Sequence, residues 1–573
     1  MRRSLVVLLA LFVLGGLAGA VQALGVASLP LLAPSAEPSA AREEDRGVAV
    51  RGGRVVVDTT ADRPDVDAGD GRCAGPKGRC TLRAAVMEAN ANDELRRVVL
   101  PRRTYTLRVA GGGEDRARRG DLDVRRSLTI EGRGALLRAG RRDRAFDVAP
   151  NVRLSVSGLR IVGGAPPAGE SGGAIRSAGR LALTRVTIAQ NAVAGEGASG
   201  GGVFVAGGSA LLRETQVNRN AAPGGGGGAI AADGGTVLLR ESRLLVNAAG
   251  AGGGLRLAVD AVADVRDSEL ERNRATGAGG GAIAVAGGRL TVLRGSLSGN
   301  EAAGGGSGGA IRNDGGSVIV DGAELLRNGA AAAGGGVAAA GGSTTLARVQ
   351  LNGNAAGNGG GLDLAGGARA AIRNSVVQDN RVAGSGGAVR LAAGTALDVT
   401  GGSYLIVNHA AGGSAGQGGG AIFNDGGSVA VEGGTVSGNR ATGGDGGALD
   451  NRAGTIAVTG ADLSRNAAAR AGGAIAVAGG TVAVANASVD ENTAARGGAV
   501  HVAGGTVTLG GGRGSRIAGN RAAVEGGGLW VAAAGTLRAT RTNMLSNRAP
   551  SGARAWVAPG ARATRDGARI GGA

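Results

Sequence analysis

The chain has 573 residues, of which 117 are glycine and 12 proline, with 1% aromatic residues and a formal net charge of +18. That length exceeds what one compact core serves, and so few rings exclude a core built around large aromatic side chains. Glycine without a collagen-like triplet period leaves a repeat array packed from Ala, Val, Leu and Ile.

Residues 1–23 read MRRSLVVLLALFVLGGLAGAVQA. Two arginines precede an apolar run, and small residues follow at Ala18-Gly19-Ala20 and Val21-Gln22-Ala23, the layout of a cleavable secretory signal. The same stretch is long enough to be kept as a membrane anchor, and membrane contact is expected only there. The Pro/Ala/Ser/Glu-rich residues 24–53 read as a linker. Secretion or a cell-surface location follows.

Residues 54–94 hold the only two cysteines, Cys73 and Cys80. Export favours a disulfide between them. Zinc would need further ligands, and the only histidines, His409 and His501, lie far along the chain, so no metal and no cofactor is expected. The segment CTLRAAVMEANA places Leu82, Ala85, Val86 and Ala89 on one helical stripe, with Thr81 positioned as its N-cap. A short helix of this kind can cover the open end of a stacked sheet.

Half of the charge excess falls between Arg96 and Arg144, with 15 Arg against 6 Asp and Glu. A basic exported surface suits anionic polysaccharide or lipid headgroups. No zinc finger, basic zipper or aromatic RNA-binding motif accompanies it, so a specific nucleic-acid partner is not expected. Residues 95–165 are read as the first coils of the array that follows.

From residue 166 to 549 two signals recur in phase. Gly-Gly-[Ala/Gly]-aliphatic occurs fourteen times, at intervals of 25 to 33 residues, with aliphatics from Ile175 and Val203 to Val500 and Leu529. An apolar residue, two free positions and Asn also occur fourteen times, from Asn191 to Asn547. Between them run short alternating stretches, as in GGAIAVAGGRLTVLRGSLSGN. Period-two alternation between Gly-rich turns predicts three short strands in about 27 residues, one coil of a parallel β-helix. The fold class is therefore all-β, a parallel β-helix solenoid. Glycine is expected where the chain needs positive φ or close approach between coils. The repeated Asn is expected to turn the chain in left-handed geometry and to stack as an amide row. The tail, 550–573, carries neither an apolar anchor nor the aromatic-ended strands of an outer-membrane barrel.

The stretch VVVDTTADRPDVDAGDGRCAGPKGRCTLRAAVMEANA, continued by RVVLPRRTYTL and GDLDVRRSLTIEGRG, resembles the CSLREA domain found on exported bacterial β-helix proteins. Cys80, Leu82, Arg83 and Ala85 fit its eponymous motif; Thr81 and Ala84 depart from it. The paired repeats are similar to those of polymorphic outer-membrane proteins, with an aliphatic residue where theirs has Phe. Both resemblances imply a right-handed helix of the pectate-lyase-like class at or beyond the cell surface.

Activity is less legible. Polysaccharide lyases and glycoside hydrolases on this fold need clustered acids, and here the acids are scattered. The Asn-Asp-Gly-Gly segments at 313–316 and 424–427 read as turns. A binding or adhesion module leads, with a lyase or hydrolase as the alternative and an inert stalk third. The residue after each repeat aliphatic should point away from the core. This row contains Arg176, Phe204, Arg256, Arg312, Arg390, Phe423, Asp450, His501 and Trp530. Rings and guanidinium groups spaced one per coil are expected to bind an anionic polysaccharide; the alternative is an ordinary solvated strand face.

Overall fold

The structure, a computed structural model, describes residues 47–140, 142–414, 416–566 and 568–569. The expected signal and nearly all of the expected linker lie outside the described residues. What is described is an all-β parallel solenoid of about 16 turns with almost no helix.

One coil shows how the sequence builds it. The first strand is Ile283–Val285, the second Arg289–Leu293, the third Ser296–Ser298 and the fourth Glu301–Ala302. Each pairs in parallel with its counterparts one coil before and one coil after. The fourth, short strand was not foreseen; among the described residues these fourth strands form a 12-stranded sheet of their own. Ile283, Val285, Leu290, Val292 and Leu297 point inward and are fully buried, part of one apolar cluster that runs the length of the solenoid. Thin aliphatic layers suffice because each coil is covered above and below by its neighbours.

The glycine pair has two separate reasons. Gly280 sits at φ 69°, and a Cβ there would lie 2.4 Å from the carbonyl oxygen of Ile283; at Gly281 it would lie 2.2 Å from the carbonyl oxygen of Gly309 in the next coil. The first glycine makes the corner and the second lets the next coil approach.

The repeated Asn does something different from what its spacing predicts. The residue before it adopts the left-handed conformation, whatever its type, as at Arg219, Val246, Asp379 and Glu491. The Asn itself points inward and is buried. From Asn191 to Asn520, every Nδ2 donates to the Oδ1 of the next coil's Asn at 2.9–3.1 Å, the row ending on Asn547. That Oδ1 also accepts the backbone N–H of the preceding Asn, and Nδ2 makes a second bond to a carbonyl of the preceding coil, as Asn354 does to Asn380 and Leu325. All four bonding positions of each internal amide are thus used, which removes the cost of burying it. The expected amide row is present; the turn belongs to its neighbour.

Stacking extends beyond the expected array at both ends. Arg54–Val56 pairs with Arg97–Val99, and Ala555–Val557 and Arg562–Arg565 continue the ladders into the tail. The helix Leu82–Ala91 is present, with Thr81 Oγ1 accepting the N–H of Ala84. Its Leu82, Ala85, Val86 and Ala89 are buried in the main cluster. Cys73 and Cys80 form the expected disulfide, fully buried; closing so short a loop contributes about 2–3 kcal/mol.

Candidate functional site

The row after the repeat aliphatics stacks in register at every coil from Arg176 through Phe204, Arg256, Arg312, Arg390, Phe423, Asp450 and His501 to Trp530. It is longer than predicted, beginning with Asp123 and Asp147 and ending on Trp556.

Its side chains point away from the core, yet most are covered. Phe204 is 9% exposed, Phe423 6% and Asp450 0%. The cause is the return segment formed by the end of the fourth strand and the residues after it, whose glycines lie against the row: a Cβ at Gly226 would sit 2.0 Å from Arg256 Cδ, and one at Gly418 2.6 Å from Asp450 Oδ2. Neither an open polymer-binding face nor an ordinary solvated face describes it.

The arginines are also paired. Arg176 meets Asp147 at 3.0 Å, Arg256 meets Asp233 at 2.7 Å, Arg312 meets Asp314 at 2.7 Å and Arg390 meets Asp363 at 3.0 Å. Asp450 is held by Arg452 at 2.8 Å, and burial still pushes its carboxyl up to about 7. A guanidinium whose charge is already offset by a carboxylate draws an anionic ligand more weakly.

At the C-terminal end three rings stack on one another. His501 and Trp530 lie 4.3 Å apart at 8°, and Trp530 and Trp556 4.9 Å apart at 6°. Trp530 Nε1 donates to Glu525 at 3.1 Å. Both faces of Trp530 are occupied by rings, so it cannot lay a face on a sugar as expected. Burial pushes His501 down to about 4, which keeps the imidazole neutral in the stack.

At the other end the row enters an ionic cluster. Buried Arg144 reaches Asp121 at 3.3 Å and Asp147 at 3.1 Å, and also pairs with Glu170. Burial, reinforced by neighbouring carboxylates, pushes Asp121 up to about 8 and Asp123 up to about 7. Asp123 accepts the N–H of Ala117 at 2.8 Å, so these acids are engaged in holding the chain. Among the described residues no group of three or more His, Cys, Asp or Glu is arranged to hold a metal ion. Of the Asn-Asp-Gly-Gly segments, 313–316 bends the chain, with Gly316 N–H donating to Asn313 Oδ1 at 2.8 Å, whereas 424–427 makes the same bond from Gly427 N–H to Asn424 Oδ1 at 2.9 Å inside the continuous strand Ile422–Glu432, at a break in its register.

Open basic surface lies elsewhere. A shallow groove of about 620 Å³ follows the corner between first and second strands, floored by Gly287, Gly288, Gly315, Gly316 and Gly342. Arg289 and Arg369 line it, with one carboxylate, Asp260, at its start. Both arginines are exposed, and neither is in an ion pair among the described residues. Arg289, Ser317, Ser343 and Arg369 are consecutive partners in one ladder, so the arginines stand three coils, about 14 Å, apart. The sequence signal was available: an Arg opening the second strand directly after Gly287-Gly288, and another one residue after Gly366-Gly367.

Compared with known proteins, the chain matches no family model, no curated protein and no solved structure.

Proposed function

We propose that the chain is an exported or cell-surface binding module whose ligand is an anionic polysaccharide, held along the groove between Arg289 and Arg369. The observation that carries this reading is the pair of unpaired guanidinium groups set three coils apart over a floor of glycine backbone. A glycine floor with only the short side chains of Ser317 and Ser343 between the arginines admits a polymer lying parallel to the solenoid axis, and arginines at fixed spacing can take successive carboxylate or sulfate groups in paired hydrogen bonds. The secretory-signal layout of residues 1–23 supports export. The CSLREA-like segment and the repeats similar to polymorphic outer-membrane proteins support a right-handed, pectate-lyase-like solenoid, with the disulfide-linked helix as its N-terminal cap.

The test is retention on immobilised polygalacturonate and on a neutral glucan. The parent is expected to bind the polyuronate weakly, to release it as salt screens the contact, and to ignore the glucan. Arg289→Gln/Arg369→Gln should abolish retention while circular dichroism stays unchanged, both side chains being exposed. Equal retention on both matrices, or none by the parent, would leave the stalk reading in its place.

A further inference from the structure

A second basic site lies beside the helix, away from the groove. A pocket of about 470 Å³ is lined by Arg116, Arg118, Arg125 and Arg126, with Asn90 on its wall and Ala68, Met87 and Ala91 completing it. None of its lining residues is acidic. All four arginines are exposed. Arg126 pairs with Asp93 and Arg125 donates to the carbonyl of Asp115, whereas the guanidinium groups of Arg116 and Arg118 have no carboxylate partner among the described residues. The volume is that of a small-molecule site, ~300–1,000 Å³.

The loop that carries Arg116 and Arg118 is fixed from beneath. Arg83, fully buried, donates to the carbonyls of Ala117 at 2.9 Å, Gly120 at 2.7 Å and Asp121 at 3.1 Å, and is itself held by Asp62 at 2.7 Å. Asp123 accepts the N–H of Ala117. Asn90 fixes the opposite wall, accepting the N–H of Arg125 at 2.9 Å and donating to the carbonyl of Asp123 at 2.7 Å. Ordering these backbone segments in advance lowers the entropy lost when a ligand binds.

We propose that this pocket binds a tetrahedral oxyanion ester, a phosphate or sulfate monoester carried on a small sugar-sized group. Planar guanidinium forks engage tetrahedral oxyanions in bidentate pairs, and Arg116, Arg118 and Arg125, none of them ion-paired among the described residues, outweigh the negative end of the helix that contributes Asn90 and Ala91. The Met87 and alanine surface takes the apolar face of the group that carries the ester. A monocarboxylate presents fewer oxygens than either ester, and less charge than the phosphate, to these guanidinium groups, so it binds more weakly.

Calorimetric titration of the full chain with glucose 6-phosphate, glucose 6-sulfate and glucuronate, at matched ionic strength, tests this. Saturable binding is expected for at least one ester, with glucuronate at least about tenfold weaker. Which ester binds, or whether both do, identifies the source. Arg116→Gln/Arg118→Gln should weaken ester binding by about tenfold or more. Arg219→Gln/Arg327→Gln, two exposed turn arginines far along the array, should leave it unchanged. Equal binding of glucuronate, no binding of either ester, or full affinity in the Arg116→Gln/Arg118→Gln protein would overturn the assignment. Because the probes are monomeric, this outcome is independent of polymer retention on the groove.

Discussion

In the first coils the buried polar groups are charged: Arg83 with Asp62, and Arg144 among Asp121, Asp147 and Glu170. In the array the fourteen neutral asparagines of the row predominate, each but the last bonded to the next, beside buried Ser and Thr and the buried Asp363 and Asp450, each paired with an arginine. The charged solution is local and irregular, and fits a segment where loops and a helix meet the end of a sheet. The neutral one is periodic and can be extended by any number of coils. The difference separates one part of the chain whose side chains fix a particular shape from another whose side chains maintain a repeat.

Breaking the charged region should have the largest effect. Arg83→Met removes one partner of a buried ion pair, leaving three carbonyls without their donor and Asp62 with only the N–H groups of Arg108 and Val109. A loss of about 3–5 kcal/mol is expected, seen as lost hydrogen-exchange protection in residues 62–124 while the amides of the array stay protected. The array should show a graded response. Asn354→Ala deprives Asn328 of both its bonds to Oδ1 and Leu325 of its donor, and is expected to cost about 2–4 kcal/mol. Asn547→Ala, at the end of the row, should cost less, since no further Asn follows it; denaturant midpoints of the two variants measure the contrast.

The two ends should also answer pH in opposite directions. Asp121 and Asp123 have folded values raised to about 8 and about 7, above the ordinary carboxylate value near 3.8. Their contribution is fully present below about pH 4 and is lost as pH rises towards 8. His501 is depressed from 6.5 to about 4, so its contribution is present above 6.5 and is lost as pH falls towards 4. Hydrogen exchange at pH 5 and pH 8 should therefore find the coils around 121–148 better protected in acid and those around 500–531 better protected in base. His501→Asn should remove the second trend alone. These are the smallest effects expected.

Much of this architecture is legible in the residues, because a solenoid repeats its instructions. Ile283 and Ile475 announce the same corner, and one in-phase Asn per coil gives the row. What a one-dimensional pattern does not carry is the fourth strand, which in many coils is only two residues, as at Glu301–Ala302, and where longer shows no apolar alternation, as at Arg274–Gly279. Without that strand, the return segment over the row is invisible, and Phe423 and Asp450 read as exposed when they are buried. The ion pairs were partly visible: Asp363 and Arg390 are neighbours in the row itself, and Arg312 and Asp314 stand two apart. The loop held by Arg83 could not be read, since Gly120 and Asp121 lie 37 and 38 residues away from it.

The central claim is that ligand charge is met on the open corner and not on the covered row. Affinity for polygalacturonate oligomers, measured side by side for Arg289→Gln/Arg369→Gln and for Arg176→Gln/Arg256→Gln, tests it most directly. The account predicts that the corner variant loses binding and the row variant keeps the parent's affinity. Loss in the row variant with binding intact in the corner variant would contradict it.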